Sequence, residues 1–259
     1  MSREARWQAL LELLVERGRL DVEGAAKELD VSAATIRRDF DQLAEQQMLV
    51  RTRGGALVHG VSYELPLRYK TARKVSEKER IAKAVAGLIT PGEVVGLTGG
   101  TTTTEVARAL TLRPDLADGA PALTVVTNAL NIASELAVRP QFKIVVTGGV
   151  ARPQSYELVG PLADGVLDQI ALDVAVVGVG AFHVRHGASA HDEGEAGINR
   201  LLCEHAARVV VAADSTKLGE RAFARICTTQ QVDVLVTDTG LSPEAAAQFS
   251  DAGVEVRTA

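Results

Sequence analysis

Residues 31–56 read VSAATIRRDFDQLAEQQMLVRTRGGA, and the pattern changes from a helical period to a strand period partway along. Ile36, Phe40 and Leu43 recur at i, i+4 and i+7, one face of an α-helix, and Ser32 stands where its hydroxyl caps the first turn. At about 100° per residue, Ala34, Arg38, Asp41 and Gln42 point away from that apolar stripe, with Thr35 and Arg37 on its flanks. Small residues let such a face approach a groove, and arginine and glutamine offer paired donors and acceptors to base edges. The run then becomes LVRTRGGALV at 49–58, two short alternations around Arg53-Gly54-Gly55, the pattern of a β-hairpin.

Upstream, Trp7, Leu10, Leu11 and Leu14 give a first helix one apolar face, and Gly18 stops it. Asp21 is placed to cap a short second helix whose Ala25, Ala26 and Leu29 allow a close crossing, and Asp30-Val31 turns the chain into Ser32. Three helices and a hairpin predict a winged helix-turn-helix, with the third helix in the major groove of DNA and Arg51 and Arg53 beside phosphates. On pattern alone, a protein-binding three-helix module with a solvated charged face reads the same way.

The residues themselves go further. The run 31–56 resembles the DNA-binding signature of the DeoR family of bacterial transcriptional repressors, a V-S-x-x-T-I-R-R-D-L helix followed by a wing ending in G-G-A. Phe40 stands where that pattern has leucine, a volume change the core face can absorb. The resemblance implies that Ser32, Thr35, Arg37, Arg38 and Arg51 contact operator DNA, and Gln42 and Arg53 join them from the helical and wing geometry. Asp39 is expected to orient an arginine or cap a helix rather than approach a phosphate.

The whole chain fits two domains. Its 259 residues, 46% hydrophobic and 24% charged, have the composition of a globular protein, with no repeat or low-complexity tract. The charged N-terminus excludes a signal-peptide core or a membrane span, so a cytoplasmic protein is expected. Cys203 and Cys227 have no CxxC or zinc spacing and read as reduced thiols. The net charge of −5 argues against a nucleic-acid partner until its distribution is considered. Arg37, Arg38, Arg51 and Arg53 gather positive charge early in the chain, and Arg68, Lys70, Arg73, Lys74, Lys78, Arg80 and Lys83 continue it.

Residues 59–75, with Gly60 and Pro66, read as a linker between a winged helix-turn-helix at 1–58 and a larger domain at 76–259. The seven basic side chains of residues 58–83 either form a plain solvated stretch or add non-specific attraction to DNA. Ser76-Glu77-Lys78-Glu79 has capping-box spacing and is expected to start the next helix.

In the larger domain, VVGL at 94–97, LTVVT at 123–127, FKIVVT at 142–147, DVAVVGV at 173–179, RVVVAAD at 208–214 and VDVLVT at 232–237 alternate with helical patterns. Short valine-rich runs spaced by helices predict an α/β fold with a mainly parallel sheet, whose ligands bind at the carboxyl ends of the strands. Gly99, Gly100, Thr101, Thr102 and Thr103 follow the first of these strands, and glycines and hydroxyls at a helix start suit a phosphate. The run is not a Walker A loop, and such a turn also arises for geometry alone. Asn128, the pair Gly148 and Gly149, Gly178 and Gly180, and the Asp214-Ser215-Thr216-Lys217 run fall at other strand ends. Lys217 is either a cation in an anion crevice or an exposed surface lysine.

This half also resembles the DeoR sensor domain through G-G-T-T-T, T-N, T-G-G, D-E-G-E and D-S-T-K-L-G, a fold related to ribose-5-phosphate isomerase and glucosamine-6-phosphate deaminase. The resemblance implies a phosphorylated-sugar site at Gly100, Thr101, Thr102 and Lys217, with Asn128, Asp192 and Glu195 nearby. Asp192 and Glu195 either bind sugar hydroxyls or cap the helix that follows. A competing expectation is a working isomerase, in which a carboxylate moves a proton and Lys217 stabilises an enolate. The D-G-A-D-E loop of those isomerases has no counterpart at Gly178-Val179-Gly180-Ala181, which argues for a sensor without catalytic residues. Many DeoR sensors also carry an acid at about Gly180, so the effector is left open.

His183, His186, His191 and Asp192 invite a metal, but their glycine- and alanine-rich loop offers no regular ligand face, and neither metal nor cofactor is expected. The expectation overall is a repressor of carbohydrate genes, a dimer or tetramer that holds double-stranded operator DNA and leaves it when a sugar phosphate binds.

Overall fold

The computed structural model describes residues 1–45, 48–57, 67, 74–117 and 121–259. They fall into two compact units, Met1–Lys70 and Thr71–Ala259. The boundary lies inside the expected linker 59–75, most of which, including Arg68, Lys70 and Arg73, lies outside the described residues.

In the first unit, helix α1 (Arg3–Arg17) buries Trp7, Leu10, Leu11 and Leu14 and ends at Gly18, whose φ of 71° reverses the chain. Strand β1 (Arg19–Asp21) follows, then α2 (Val22–Glu28), which Asp21 caps by accepting from the Gly24 N–H at 2.7 Å. Helix α3 (Ala33–Glu45) is capped by Ser32, whose Oγ accepts from the Thr35 N–H at 3.1 Å. It buries Ile36, Phe40 and Leu43, so the phenylalanine is absorbed by the core. Strands β2 (Val50–Thr52) and β3 (Gly55–Leu57) make the hairpin.

Beta1 was not expected from the sequence. It pairs antiparallel with β3, so the hairpin is part of a three-stranded sheet ordered β1-β3-β2. Gly55 makes that pairing possible, because a Cβ there would lie 2.1 Å from the Leu20 carbonyl oxygen.

The second unit opens with α4 (Val75–Ala86). Ser76 does not cap it: the helix begins two residues earlier than a Ser76 cap would place it, Lys74 is the N-cap with no side-chain bond, and the Ser76 hydroxyl donates to Glu77 instead. Lys78, part of the basic stretch read as either solvated or drawn to DNA, is buried, because its register places it beside Ile81, Ala82 and Val85 on the inward face.

The strands are β4 (Val94–Leu97), β5 (Leu123–Thr127), β6 (Phe142–Val146), β7 (Val150–Ala151), β8 (Leu158–Val159), β9 (Leu172–Val177), β10 (Ala181–His183), β11 (Gly187–Ala190), β12 (Ala206–Ala212), β13 (Ala224–Cys227), β14 (Val234–Thr237) and β15 (Glu255–Thr258). The helices are α5 (Thr101–Thr111), α6 (Leu130–Ala137), α7 (Asp164–Leu167), α8 (Glu193–Glu204) and α9 (Pro243–Asp251).

Seven strands form one wholly parallel sheet in the order β15-β14-β12-β9-β4-β5-β6. The expected strands are all in it, and β15 is added at its edge. Alternate residues feed two cores: Val174, Val176, Val210 and Ala212 pack with α4, α5 and α6, while Ala175, Val177, Val209 and Val211 pack with α8 and α9. Hairpin β7-β8 and the antiparallel sheet β10-β11-β13 stand outside the main sheet. Cys203 and Cys227 are free and buried.

The chain runs outward from β4 to β6 in one direction and from β9 to β15 in the other. The strand order therefore reverses between β4 and β9, where an open α/β sheet leaves a crevice beyond its carboxyl ends.

Candidate functional site

In the first unit, the face of α3 opposite its apolar stripe is open. Ala34, Arg38, Asp41 and Gln42 are exposed, as their spacing predicts, and Arg37 on the flank is exposed as well. Arg38 and Gln42 make no side-chain hydrogen bond among the described residues, whereas Arg37 donates to Glu23 at 3.2 Å. Ser32 and Thr35 share a hydroxyl hydrogen bond of 2.8 Å at the start of the helix. On the wing, Arg53 is exposed, but Arg51 is half-buried and engaged three ways. It donates to Asp41 at 2.6 Å and to the Gly55 carbonyl at 2.7 Å, and it lies over the Phe40 ring. Arg51 thus braces wing to helix, and its charge is partly met before any phosphate arrives.

Asp39 has the orienting role expected of it, toward a different arginine from its neighbours. Buried on α3, it accepts from Arg6 Nη2 at 3.0 Å and Trp7 Nε1 at 2.8 Å, which fixes α3 against α1.

In the second unit, parallel pairing brings the ends of β4, β5, β6, β9 and β12 to one edge of the sheet, with Thr98, Asn128, Gly148, Gly178 and Asp214 along it. Thr98 joins β4 to β9 at the reversal: its Oγ1 accepts from the Gly178 N–H at 2.9 Å. Gly100 is the N-cap of α5 with φ 124° and ψ 164°, a conformation essentially restricted to glycine, and no side chain caps the helix. The first-turn N–H groups of an eleven-residue helix are therefore left for a ligand at the switch point. The Thr103 and Thr104 hydroxyls turn back to the Gly100 carbonyl, at 3.1 and 2.7 Å, so Thr103, a candidate donor from sequence, is committed to the turn. Thr101 and Thr102 make no side-chain hydrogen bond among the described residues.

Two residues outside every sequence motif, Glu157 and Arg152, contact the candidate site residues. Glu157 is buried against Gly99, where a Cβ would lie 2.3 Å from its Cγ, and it accepts from Asn128 Nδ2 at 2.9 Å. Arg152 donates to Asp192 at 3.0 Å and to Glu195 at 2.8 Å. Both come from the turn 152–157, in which Tyr156 has a left-handed φ of 61°. No local motif marks that turn; only the fold carries it to the crevice.

Asp192 caps α8 by accepting from the Glu195 N–H at 3.0 Å while also holding Arg152. Asn199, one turn beyond Glu195, takes the remaining reach of the Asn128 amide at 3.4 Å. Both bonds hold the Asn128 amide, whose Oδ1 is buried without a partner among the described residues. Gly149 is explained by packing, since a Cβ there would lie 2.8 Å from the Val159 carbonyl oxygen. At Gly180, a Cβ would lie 3.0 Å from His191 Cδ2.

Lys217 closes the Ser215–Lys217 turn and is half-buried and partnered. Asp238, at the end of β14, holds that turn: it accepts from the Ser215 N–H at 2.7 Å, the Ser215 hydroxyl at 3.0 Å and the Gly240 N–H at 2.9 Å. Burial pushes its carboxyl up, but these donors outweigh burial and hold it below the usual carboxylate range. Among the described residues no three histidine, cysteine, aspartate or glutamate side chains form a metal set, and the His183 and His186 rings meet at a tilt of 43° with centroids 4.8 Å apart. No helix among them is long and apolar enough to cross a membrane.

Comparison with known proteins matches residues 6–60 to the DeoR-like helix-turn-helix domain and residues 73–239 to the DeoR C-terminal sensor domain. The HTH-type transcriptional repressor CsqR of Escherichia coli K12 is 32% identical over 252 residues, covering 97% of this chain and 94% of that protein. The glycerol-3-phosphate regulon repressor of the same strain is 31% identical over 238 residues, covering 92% of each. Ribose-5-phosphate isomerase A from Methanocaldococcus jannaschii aligns with a TM-score of 0.41 and 20% identity over 54% of this chain and 53% of its own. That likeness is too slight to carry the isomerase kinship expected from the sequence.

Proposed function

The chain belongs to the DeoR family of transcriptional regulators, and from that premise we propose that it represses carbohydrate-metabolism genes and leaves its operator when a phosphorylated sugar binds. As a member of that family it is a regulator and not an enzyme. Its place of work is the cytoplasm, and its working form is a homo-oligomer whose paired α3 helices engage repeated half-sites on double-stranded DNA.

Arg38 and Gln42 read base edges, Arg37 and Thr35 flank them, and Ser32, Arg51 and Arg53 hold the phosphates. Arg51 serves while braced by Asp41, so its contribution to phosphate binding is smaller than that of Arg53.

The observation that carries the effector reading is the uncapped start of α5 at the switch point, next to a cluster of carboxylates. The α5 N–H groups, Gly99, Gly100, Thr101, Thr102 and Lys217 take the phosphate. Asp192, Glu195 and Glu157 supply acceptors for sugar hydroxyls, aligned by Arg152 and Asn128, while Gly148 and Gly149 shape the rim. A ligand with an anionic end and a hydroxylated end matches both poles. Release from DNA requires that it bind one arrangement of the oligomer better than the other.

The test is fluorescence anisotropy of labelled DNA from upstream of the chain's own gene, titrated with protein and then with a panel of sugar phosphates. Binding that resists competitor DNA and is reversed by one compound is expected. Arg38→Ala should weaken specific binding by about 1–3 kcal/mol, and Lys217→Ala should spare operator binding but blunt the inducer response. Reversal that survives Lys217→Ala at unchanged inducer concentration would remove the crevice from the mechanism.

A further inference from the structure

A cavity of about 490 Å³ lies away from the crevice, between the β10-β11 hairpin, strand β13 and the outer part of α8. None of its lining residues belongs to the proposed effector site. Arg200 follows Glu195 by five residues, which turns it about 140° around α8, so the helix presents one face to the crevice and another to this cavity.

Four arginines line the cavity: Arg185 on the hairpin turn, Arg200 on α8, Arg221 on the loop before β13, and Arg225 on β13. All four are exposed. Arg108, Arg113, Arg152, Arg208 and Arg257 of the same unit each pair with a carboxylate, but these four form no ion pair among the described residues. The one acid in the lining, Glu204, leaves an excess of three formal positive charges, in a chain whose net charge is −5. Grouping like charges costs energy unless an anion completes the set. The clustering is felt locally: the His186 imidazole is held below its ordinary range by desolvation, then by Arg221, His183 and Arg185.

The wall is also fixed in place. Arg200 Nη2 donates to the Arg225 carbonyl at 2.8 Å, and the Ser189 hydroxyl accepts from the Ala222 N–H at 3.0 Å, tying the Arg221 loop to β11. Phe223, 77% exposed, gives the rim a large aromatic face.

We propose that this cavity is a second ligand site, independent of the effector crevice, that takes a small anion carrying a diphosphate group. Guanidinium forks bind phosphate oxygens in pairs, three excess charges match a diphosphate rather than a single phosphate, and the volume falls in the range of small-molecule pockets. Phe223 offers a stacking surface to a nucleoside base, so the source of the diphosphate is either a nucleotide or a ligand without a ring.

The experiment is isothermal titration calorimetry of the full chain with pyrophosphate and, separately, with ADP, in metal-free buffer. About one anion bound per chain is expected, with affinity reduced at least about tenfold in Arg185→Ala/Arg221→Ala and largely kept in Arg185→Lys/Arg221→Lys. Neither arginine makes a side-chain hydrogen bond among the described residues, so the alanine variant is expected to melt with the wild type. Tighter binding of ADP, with the gain abolished by Phe223→Ala, assigns the site to nucleotides; equal binding assigns it to diphosphates without a ring. Lys217→Ala should change none of this. Absence of binding by the wild type, or binding lost in Lys217→Ala and kept in the double arginine variant, overturns the proposal without touching the reading of the crevice.

Discussion

The reading face of α3 and the crevice beyond β4 are built on opposite plans. On α3, Arg38 and Gln42 stand in water without side-chain partners among the described residues, and the helix beneath them is held by Ile36, Phe40, Leu43 and Asp39. In the crevice, Asn128, Arg152, Glu157, Asp192, Glu195 and Asn199 hold one another. The first surface separates function from stability; the second merges them. An exposed arginine can meet any phosphate or base the partner presents, at a strength set by salt. A buried carboxylate network selects one shape, and it does so with residues the fold cannot lose cheaply.

The sharpest way to break that comparison is a methyl group in each unit. Gly55→Ala drives a Cβ to 2.1 Å from the Leu20 backbone oxygen, which cannot give without undoing the β1-β3 pairing. The expected cost is about 4 kcal/mol, near the upper end for a point substitution. Gly99→Ala meets the Glu157 side chain, which can swing aside at the expense of its bond to Asn128, and about 2 kcal/mol is expected. Thermal melts of both variants, with operator binding and sugar-phosphate binding measured on each, check this. Gly55→Ala should lose DNA binding and keep the ligand, and Gly99→Ala the reverse. A Gly99→Ala protein that still responds to inducer would mean that the ligand does not approach Gly99.

Arg152→Ala sharpens the contrast further. Removing the guanidinium leaves Asp192 and Glu195 facing each other, half or more buried and with like charge, and about 2 kcal/mol of stability should go with it. Arg38→Ala should leave stability within about 0.5 kcal/mol. Urea titrations of the two variants decide the matter: equal midpoints would show that the crevice network carries no more stability than the open face.

The same contrast explains what could be read from the sequence. The face of α3 was legible because a helix states its own exposure: Ile36, Phe40 and Leu43 fix one side, and the arginines must then take the other. The parallel sheet was legible because its valine runs are short and continuous. Strand β1 was not, since Arg19–Asp21 is too short to show a period and exists only through its partner β3. Ser76 and Lys78 are hard to place locally for a related reason: the helix starts two residues earlier than the capping pattern implies. In the crevice, Gly99, Gly100, Thr101 and Thr102 announce themselves within one turn, but Arg152 acts on residues 40 and 43 positions away. Glu157 reaches Asn128 only because the hairpin β7-β8 pairs back onto the Asn128 backbone. Long-range polar contacts of that kind leave no local period behind.

Asp238 gives the smallest expected effect and the one that ties chemistry to stability most directly. It is buried beneath the Lys217 turn, and its donors hold the carboxyl below its ordinary value. In the unfolded chain the same carboxyl titrates near about 3.9. A folded-state value below the unfolded one means that the unfolded chain binds the proton first as pH falls, so stability drops with it. The contribution is fully present above the unfolded range and is lost as pH falls through the lower, folded value. Asp238→Asn keeps one acceptor but cannot ionise. Its deficit relative to the wild type should therefore be constant from about pH 7 to 5 and shrink below about pH 4. Urea midpoints of both proteins across that range are the measurement. A deficit that stays flat into acid would show that Asp238 holds the Ser215–Lys217 turn by hydrogen-bond geometry alone, and that its charge contributes nothing.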